Sequence, residues 1–262
     1  MEALPSNGSP MENKGFKSKV VLVTGGSRGI GKGVALEFAK QGAHIAFNYL
    51  RNEKAAEETQ KEIEAFGVRC LRMRAHLGDA TKIKGLFDAV RNEYGRLDVL
   101  VNNAASGVNL PADELQEKHC YWTIGINGKS GWGCAIEASK LMIDGGHIIN
   151  ITSEGSRKVL PNYFAVGTSK AALEAVTRYL AVELASKDIS VNAVSGGYVQ
   201  TGALDAFPDK EKMVAEGQKT LSGRMVTAQD IADTVIFLCS PYADMIRGQI
   251  ILVDGGATLR AH

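Results

Sequence analysis

Short runs of aliphatic and β-branched residues alternate with longer polar stretches in which apolar residues return every three or four positions. Val20–Val23 is an unbroken apolar run, the pattern of a strand buried on both faces. From Ile30 to Lys40 the period changes, with Ile30, Val34 and Phe38 on one stripe, as a helix with one buried face requires. The alternation then repeats, with strands over Ala43–Tyr49 and Val68–Arg74 and helices over Glu53–Phe66 and Thr81–Tyr94. Asp79 stands where an N-cap would accept from the free N–H groups of the last of these helices. Further strands are predicted at Val99–Val101, Ile148–Ile151, Ser190–Val194 and Ile250–Val253. A helical stretch with a glycine-rich middle runs from Glu114 to Met142, and Pro161–Ser186 reads as a long helix.

Repeated strand–helix–strand units predict an α/β chain: one domain, a doubly wound (Rossmann) parallel sheet of seven strands with helices on both faces. Such sheets bind ligands beyond the carboxyl ends of their strands, where the strand order reverses. One stretch breaks the rhythm. Gly196–Met225 carries glycine, proline and short charged helical pieces, and a loop of that length in a compact domain reads as a lid. Residues 1–17 are polar and lack the apolar core of a signal peptide. They are expected to form a disordered tail ahead of a single domain over 18–262.

Composition narrows the function classes. A chain of 262 residues buries about 70–75% of its unfolded surface and needs no disulfide or metal staple. Thirty basic residues balance 29 acidic ones, which argues against a nucleic-acid coat and a polybasic membrane binder. No apolar run reaches the length of a membrane-spanning helix. The 29 glycines have no three-residue period, which excludes collagen and implies many tight turns. Cys70, Cys120, Cys134 and Cys239 form no CxxC pair and read as reduced, with no metal site and a cytoplasmic setting.

The chemistry begins at Thr24-Gly25-Gly26-Ser27-Arg28-Gly29-Ile30-Gly31, between the first strand and the first helix. Glycines at 25, 29 and 31 permit a tight turn and let N–H groups at a helix start approach a pyrophosphate. This loop resembles the cofactor loop of the short-chain dehydrogenase/reductase family. Asn102-Asn103-Ala104-Ala105 resembles the family's NNAG motif, which supports the sheet and the adenine side of the pocket. The resemblance implies active-site roles for Asn127, Ser153 and Lys170, the last two separated by the family's 17 positions. Gly197, Val199 and Thr201 fall in a segment similar to the PGxxxT motif that holds the nicotinamide amide. His76 and Leu77 stand after the third strand, where the family contacts adenine, although His76 replaces the common aspartate.

Charge argues for the cofactor. An acid at the end of the second strand would select NAD through the ribose 2′-hydroxyl. Here that end reads Asn48-Tyr49-Leu50-Arg51. Arg28 and Arg51 suit a 2′-phosphate, so NADPH is expected, although solvated surface arginines would read the same.

The tyrosine departs from the common pattern. Four residues before Lys170 stands Val166, and the nearest upstream tyrosine is Tyr163, giving Tyr-x6-Lys. On one helix the two would share a face about 10 Å apart along the axis, too far for lysine to act directly on the phenol. This spacing resembles the NADPH-dependent enoyl-acyl-carrier-protein reductase III group. The resemblance implies reduction of a 2-enoyl thioester on acyl carrier protein or coenzyme A, in fatty-acid or related acyl-chain synthesis. Tyr163 would hold the enolate oxygen. A second tyrosine common in enoyl reductases is missing between Trp132 and Tyr163, and Ser153 or Asn127 is expected to fill part of its place. A 3-oxoacyl or other carbonyl reductase, and a non-catalytic NADPH-binding protein, remain alternatives. Ala203, Leu204, Phe207 and Met213 suit an apolar acyl chain, or simply a helix packed on the core. Lys210, Lys212, Lys219 and Arg224 suit an acidic carrier, or a solvated face. The resemblance also implies a homotetramer, paired through the helices over 114–142 and 161–186.

Overall fold

In a computed structural model, residues 14–202, 204 and 210–259 are described. Chain order is β1 (Val20–Val23), α1 (Gly29–Lys40), β2 (His44–Tyr49), α2 (Glu53–Glu64), β3 (Cys70–Arg74), α3 (Ala80–Tyr94) and β4 (Val99–Asn102). Then come α4 (Glu117–Ile124), a π-helical turn (Gly125–Lys129), α5 (Ser130–Ser139), β5 (Gly146–Ser153), α6 (Phe164–Glu183) and β6 (Ile189–Gly196). The chain continues through β7 (Val199–Gln200), α7 (Lys210–Gly217), β8 (Val226–Thr227), α8 (Ala228–Leu238) and β9 (Ile250–Val253). The seven strands of the main sheet lie in the order β3-β2-β1-β4-β5-β6-β9, with every pairing parallel. The order reverses between β1 and β4, so the cleft opens at the carboxyl ends of these two strands.

Alternation along β1 divides the core. Val21 and Val23 join Phe38, Phe47 and Val235 on one face, while Val20 and Leu22 join Phe87, Ala135 and Leu180 on the other. Successive side chains point to opposite faces, so helices must cover both. Asp79 caps α3 as expected, accepting from the Thr81 N–H. No helix among the described residues is long and apolar enough to cross a membrane.

Several expectations are corrected. The tail predicted over 1–17 gives way to a 3-10 turn at Lys14–Phe16, because Phe16 is buried edge-on against Phe38 with ring centroids 4.9 Å apart; residues 1–13 lie outside the described part. The predicted helix 114–142 starts at Glu117 and ends at Ser139, and its glycine-rich middle takes one π turn. The helix predicted from Pro161 starts at Phe164, because Asn162 adopts a left-handed φ of 57°. The lid predicted over 196–225 carries β7 and α7, and β7 pairs with β8. Helix α8 has no counterpart among the predicted elements. Its signal was a capping box, Thr227 with Asp230 three residues on, followed by buried Ile231, Val235 and Leu238. It packs on α1, where Gly33 meets Ala228.

The amino end of the sheet is tied by Asp98. Its carboxylate accepts the Val20 N–H at 2.9 Å and pairs with Arg96 and Lys19 at 2.7 and 3.1 Å. Burial pushes its pKa up, but hydrogen bonds from Arg96, Val20 and Lys19 outweigh this and hold it below the ordinary 3.8. A depressed folded pKa contributes stability that is present above 3.8 and is lost as pH falls through the folded value. Asp98→Asn is therefore expected to cost about 1–3 kcal/mol at pH 7 and to flatten the acid limb of stability. Urea unfolding of both chains between pH 7 and pH 3 measures this; parallel acid limbs would contradict it.

Candidate active site

The floor of the cleft is a clasp between the turns after β1 and β4. Thr24 Oγ1 accepts the N–H groups of Asn103 and Ala104 at 2.9 and 3.0 Å. The Asn103 amide donates to the Thr24 and Gly25 carbonyls at 2.9 and 3.2 Å. This draws the glycine turn so close that a Cβ on Gly31 would lie 2.5 Å from the Gly25 carbonyl oxygen. Gly25 and Gly29 have φ of 66° and 55°, a region side chains avoid. Helix α1 opens at Gly29, and its N-cap residue Arg28 makes no side-chain cap bond. The N–H groups of its first turn, beside Ser27 and Ile30, thus remain available to a diphosphate. The residues present fit a dinucleotide.

Asn48 is a site residue that sequence reasoning missed. Buried near the end of β2, it accepts the Gly25 N–H at 3.0 Å and donates to the Ala75 carbonyl at 2.9 Å. A polar residue inside the run Ile45–Tyr49 was its signal. Arg28 and Arg51 are exposed, and neither guanidinium has a partner among the described residues. Arg74 joins them, since β2–β3 register sets it opposite Tyr49 and its Nε donates to the Leu50 carbonyl at 3.0 Å. His76 accepts the Gly78 N–H on Nδ1, and its ring lies 5.0 Å from that of Trp122. Leu77 is buried in the core, so only its main chain can face a ligand.

Strand β5 ends at Ser153. Its Oγ accepts the Gly155 N–H at 3.2 Å and the Tyr163 hydroxyl at 3.5 Å. Tyr163 is the residue before α6 rather than part of its first turn, as the predicted helix start had it. Its ring fits against Gly155, where a Cβ would lie 2.6 Å from the ring carbons. Burial pushes the phenol pKa up, the Ser153 hydrogen bond opposes this, and Glu154 adds to it. The phenol is neutral, a donor rather than an anion. Val166, four residues before Lys170, is buried against Gly107, leaving no room for a Cβ there.

Lys170 is 6% exposed, and its Nζ donates to the Ile151 carbonyl at 2.7 Å. Burial pulls its pKa down to about 8. Asn127 lies in the π turn. It accepts the Ser106 N–H and donates to Ser169 Oγ, both at 2.9 Å. Across the cleft, the Gly197 N–H donates to the Val253 carbonyl at 3.1 Å. Val199 turns its side chain toward Gly196, and Thr201 comes within 3.7 Å of where a Cβ on Gly29 would sit. The chemistry on offer is two hydroxyl donors, a buried amine and a nucleotide cradle. No group of three potential metal ligands occurs among the described residues.

Under α7 lies a cavity of about 930 Å³, lined in part by Gln200, Leu204, Val214 and Met225. Leu204 is buried and Met213 half-buried, while Ala203 and Phe207 fall outside the described residues. Arg224 is committed to Asp230 by two contacts of 2.6 Å, and Lys219 to Glu216 at 2.6 Å. Neither is an open cation for a carrier protein.

A family model described as "Enoyl-(Acyl carrier protein) reductase" matches residues 25–258. A 1-cyclohexenylcarbonyl-CoA reductase of Streptomyces collinus is 36% identical over 94% of this chain and 89% of its own length. A 3-oxoacyl-acyl-carrier-protein reductase of Staphylococcus aureus is 36% identical over 91% of this chain and 98% of its own. Among solved structures, a short-chain dehydrogenase from Burkholderia cenocepacia in complex with NADP superposes with a TM-score of 0.87 at 31% identity, covering 93% of this chain and 99% of that one.

Gly155→Ala is expected to destabilise the fold by about 1–3 kcal/mol through overpacking and to displace the Tyr163 ring from Ser153. In a Tyr163→Ala background the same change should cost clearly less, since only the 3.2 Å approach to Leu160 Cδ1 remains. Denaturant unfolding of the four chains measures the coupling; an equal cost in both backgrounds would sink it.

Proposed function

The chain belongs to the short-chain dehydrogenase/reductase family, and on that footing we propose that it reduces the 2,3 double bond of an enoyl thioester with NADPH. The observation that carries the reading is the tyrosine: the phenol comes from Tyr163 and reaches Ser153, while Val166 fills the position four before Lys170. A bound nicotinamide supplies hydride. Once the β-carbon has gained it, the double-bond pair moves toward the thioester oxygen, where a fixed donor is worth several kcal/mol. Tyr163 is that donor, with Ser153 orienting its hydroxyl. Lys170 lies deeper, beside the expected ribose, and Asn127 steadies α6 through Ser169. The cavity under α7 takes the acyl chain. The names of the matching family model and of the Streptomyces relative support this reading.

A second reading, reduction of a 3-oxoacyl thioester, is favoured by the Staphylococcus relative and by the same Ser153–Tyr163 pair. Following NADPH absorbance with crotonyl and acetoacetyl thioesters separates the two. Consumption with the second alone would overturn the first.

The unpaired Arg28 and Arg51, with Arg74 beside them, support NADPH over NADH. The carrier, acyl carrier protein or coenzyme A, would approach α7 past the exposed Lys212. Apolar side chains left exposed on α4–α6, among them Tyr121 (70%), Trp132 (49%) and Tyr179 (71%), support a homotetramer built on these helices. Light scattering should give four times the chain mass at micromolar concentration; a stable monomer would remove this assembly.

Tyr163→Phe is expected to lower enoyl-thioester turnover by about 10²–10³ with NADPH binding unchanged, whereas Lys170→Ala should weaken both. Full activity in the phenylalanine variant would end the assignment. Replacing Arg28 and Arg51 together by glutamine should shift preference toward NADH about tenfold, since each phosphate contact contributes about 1.5–3 kcal/mol before solvent screening. Equal losses with both cofactors in steady-state assays would make the two arginines structural.

A further inference from the structure

We propose that Glu154 is the acid of this site: its carboxyl supplies the proton that the product gains at the α-carbon, and is recharged from the cavity it lines. The inference rests on the enoyl-reduction reading. Glu154 follows Ser153 directly, opens the 3-10 turn Glu154–Ser156 and is 9% exposed. Its carboxyl oxygens are not sealed off, and with no hydrogen-bond or ion-pair partner among the described residues they are left to the cavity for solvation. It lines a cavity of about 230 Å³ shared with Tyr198 and Asp254, roomy and polar enough for several waters. A negative charge on Glu154 opposes ionisation of both Tyr163 and Tyr198, so the carboxyl sits in the electrostatic reach of the phenol that would hold the enolate.

The reaction needs such a group. Reduction adds a hydride at the β-carbon and a proton at the α-carbon. Lys170 is committed to the Ile151 carbonyl two turns away, and the phenol of Tyr163 is a better donor than acid. In the proposed step the O–H bond of Glu154 breaks and the enolate pair forms the new C–H bond. The carboxylate then takes a proton from cavity water, so the sum is one hydride and one solvent proton per double bond. Burial keeps Glu154 protonated to higher pH than usual; Lys158 opposes this and Asp254 adds to it. The titratable groups around it are those two, Tyr163 before α6, Tyr198 after β6, Glu216 on α7 and Lys219 after it.

The test uses the full chain, NADPH and crotonyl thioester. In the natural chain kcat should fall as pH rises through the Glu154 pKa, because only the protonated form donates. Glu154→Gln should lower kcat about 10²-fold, abolish that limb and leave NADPH binding unchanged. Lys158→Met removes a cation that favours the carboxylate, so the limb should move to higher pH. Infrared titration of the protonated carboxyl band, absent in the glutamine variant, should follow the same shift without any turnover. An unchanged kcat and limb in Glu154→Gln, or an unmoved limb and band in Lys158→Met, would overturn the inference. If the glutamine variant fails to bind NADPH, the lysine variant decides alone. A natural chain that reduces no enoyl thioester removes the functional reading and this inference together.

Discussion

One side-chain amide, that of Asn103, holds the glycine turn in the shape a nucleotide requires. It occupies the space beside Gly31 and satisfies two carbonyls, those of Thr24 and Gly25, that the turn leaves without a partner. Buried carbonyls left unmade would each cost about 1–3 kcal/mol. The start of α1 and the approach of the Gly29 turn to Thr201 follow from it. Asn48 completes the arrangement from β2 by taking the Gly25 N–H and tying the turn after β3 to it.

Further along the sheet the same device recurs with different partners. Asn102 donates to Asn150, and Asn150 donates to Thr177 on α6. These buried amides register α6 against β4 and β5 more sharply than aliphatic packing alone, because a slipped helix would leave them unpaired. Lys170 can therefore be buried with its ammonium on the Ile151 carbonyl. Glu174 on the same helix accepts from Thr152, Ser156 and Arg157, which fixes the turn bearing Ser153 and Glu154.

What could be read from the chain beforehand divides along physical lines. All seven strands of the main sheet were legible, most as apolar runs and β3 as an alternation of apolar residues with arginines, each set between turn residues and helical stretches. The glycine turn was legible because its spacing is local, whereas Ser153 and Lys170 were singled out only through the family resemblance. Helix α8 escaped because a two-residue strand and a capping box precede it and no long periodic run announces it. Tyr163 was found by spacing, but its place outside α6 depends on one left-handed residue, Asn162, which composition does not reveal. Asn48, Arg74 and Glu154 acquire meaning only when strands distant in sequence lie side by side.

The position of Tyr163 outside the helix separates the phenol from the rigid rod that carries Lys170. Lys170 is locked to the sheet by α6, whereas the phenol hangs on the turn Leu160–Tyr163. Mutations in that turn can re-aim the phenol while the nucleotide cradle stays untouched. The helix carries the ammonium and the turn carries the phenol, so a change in the turn can alter the grip on a substrate without disturbing the grip on a nucleotide.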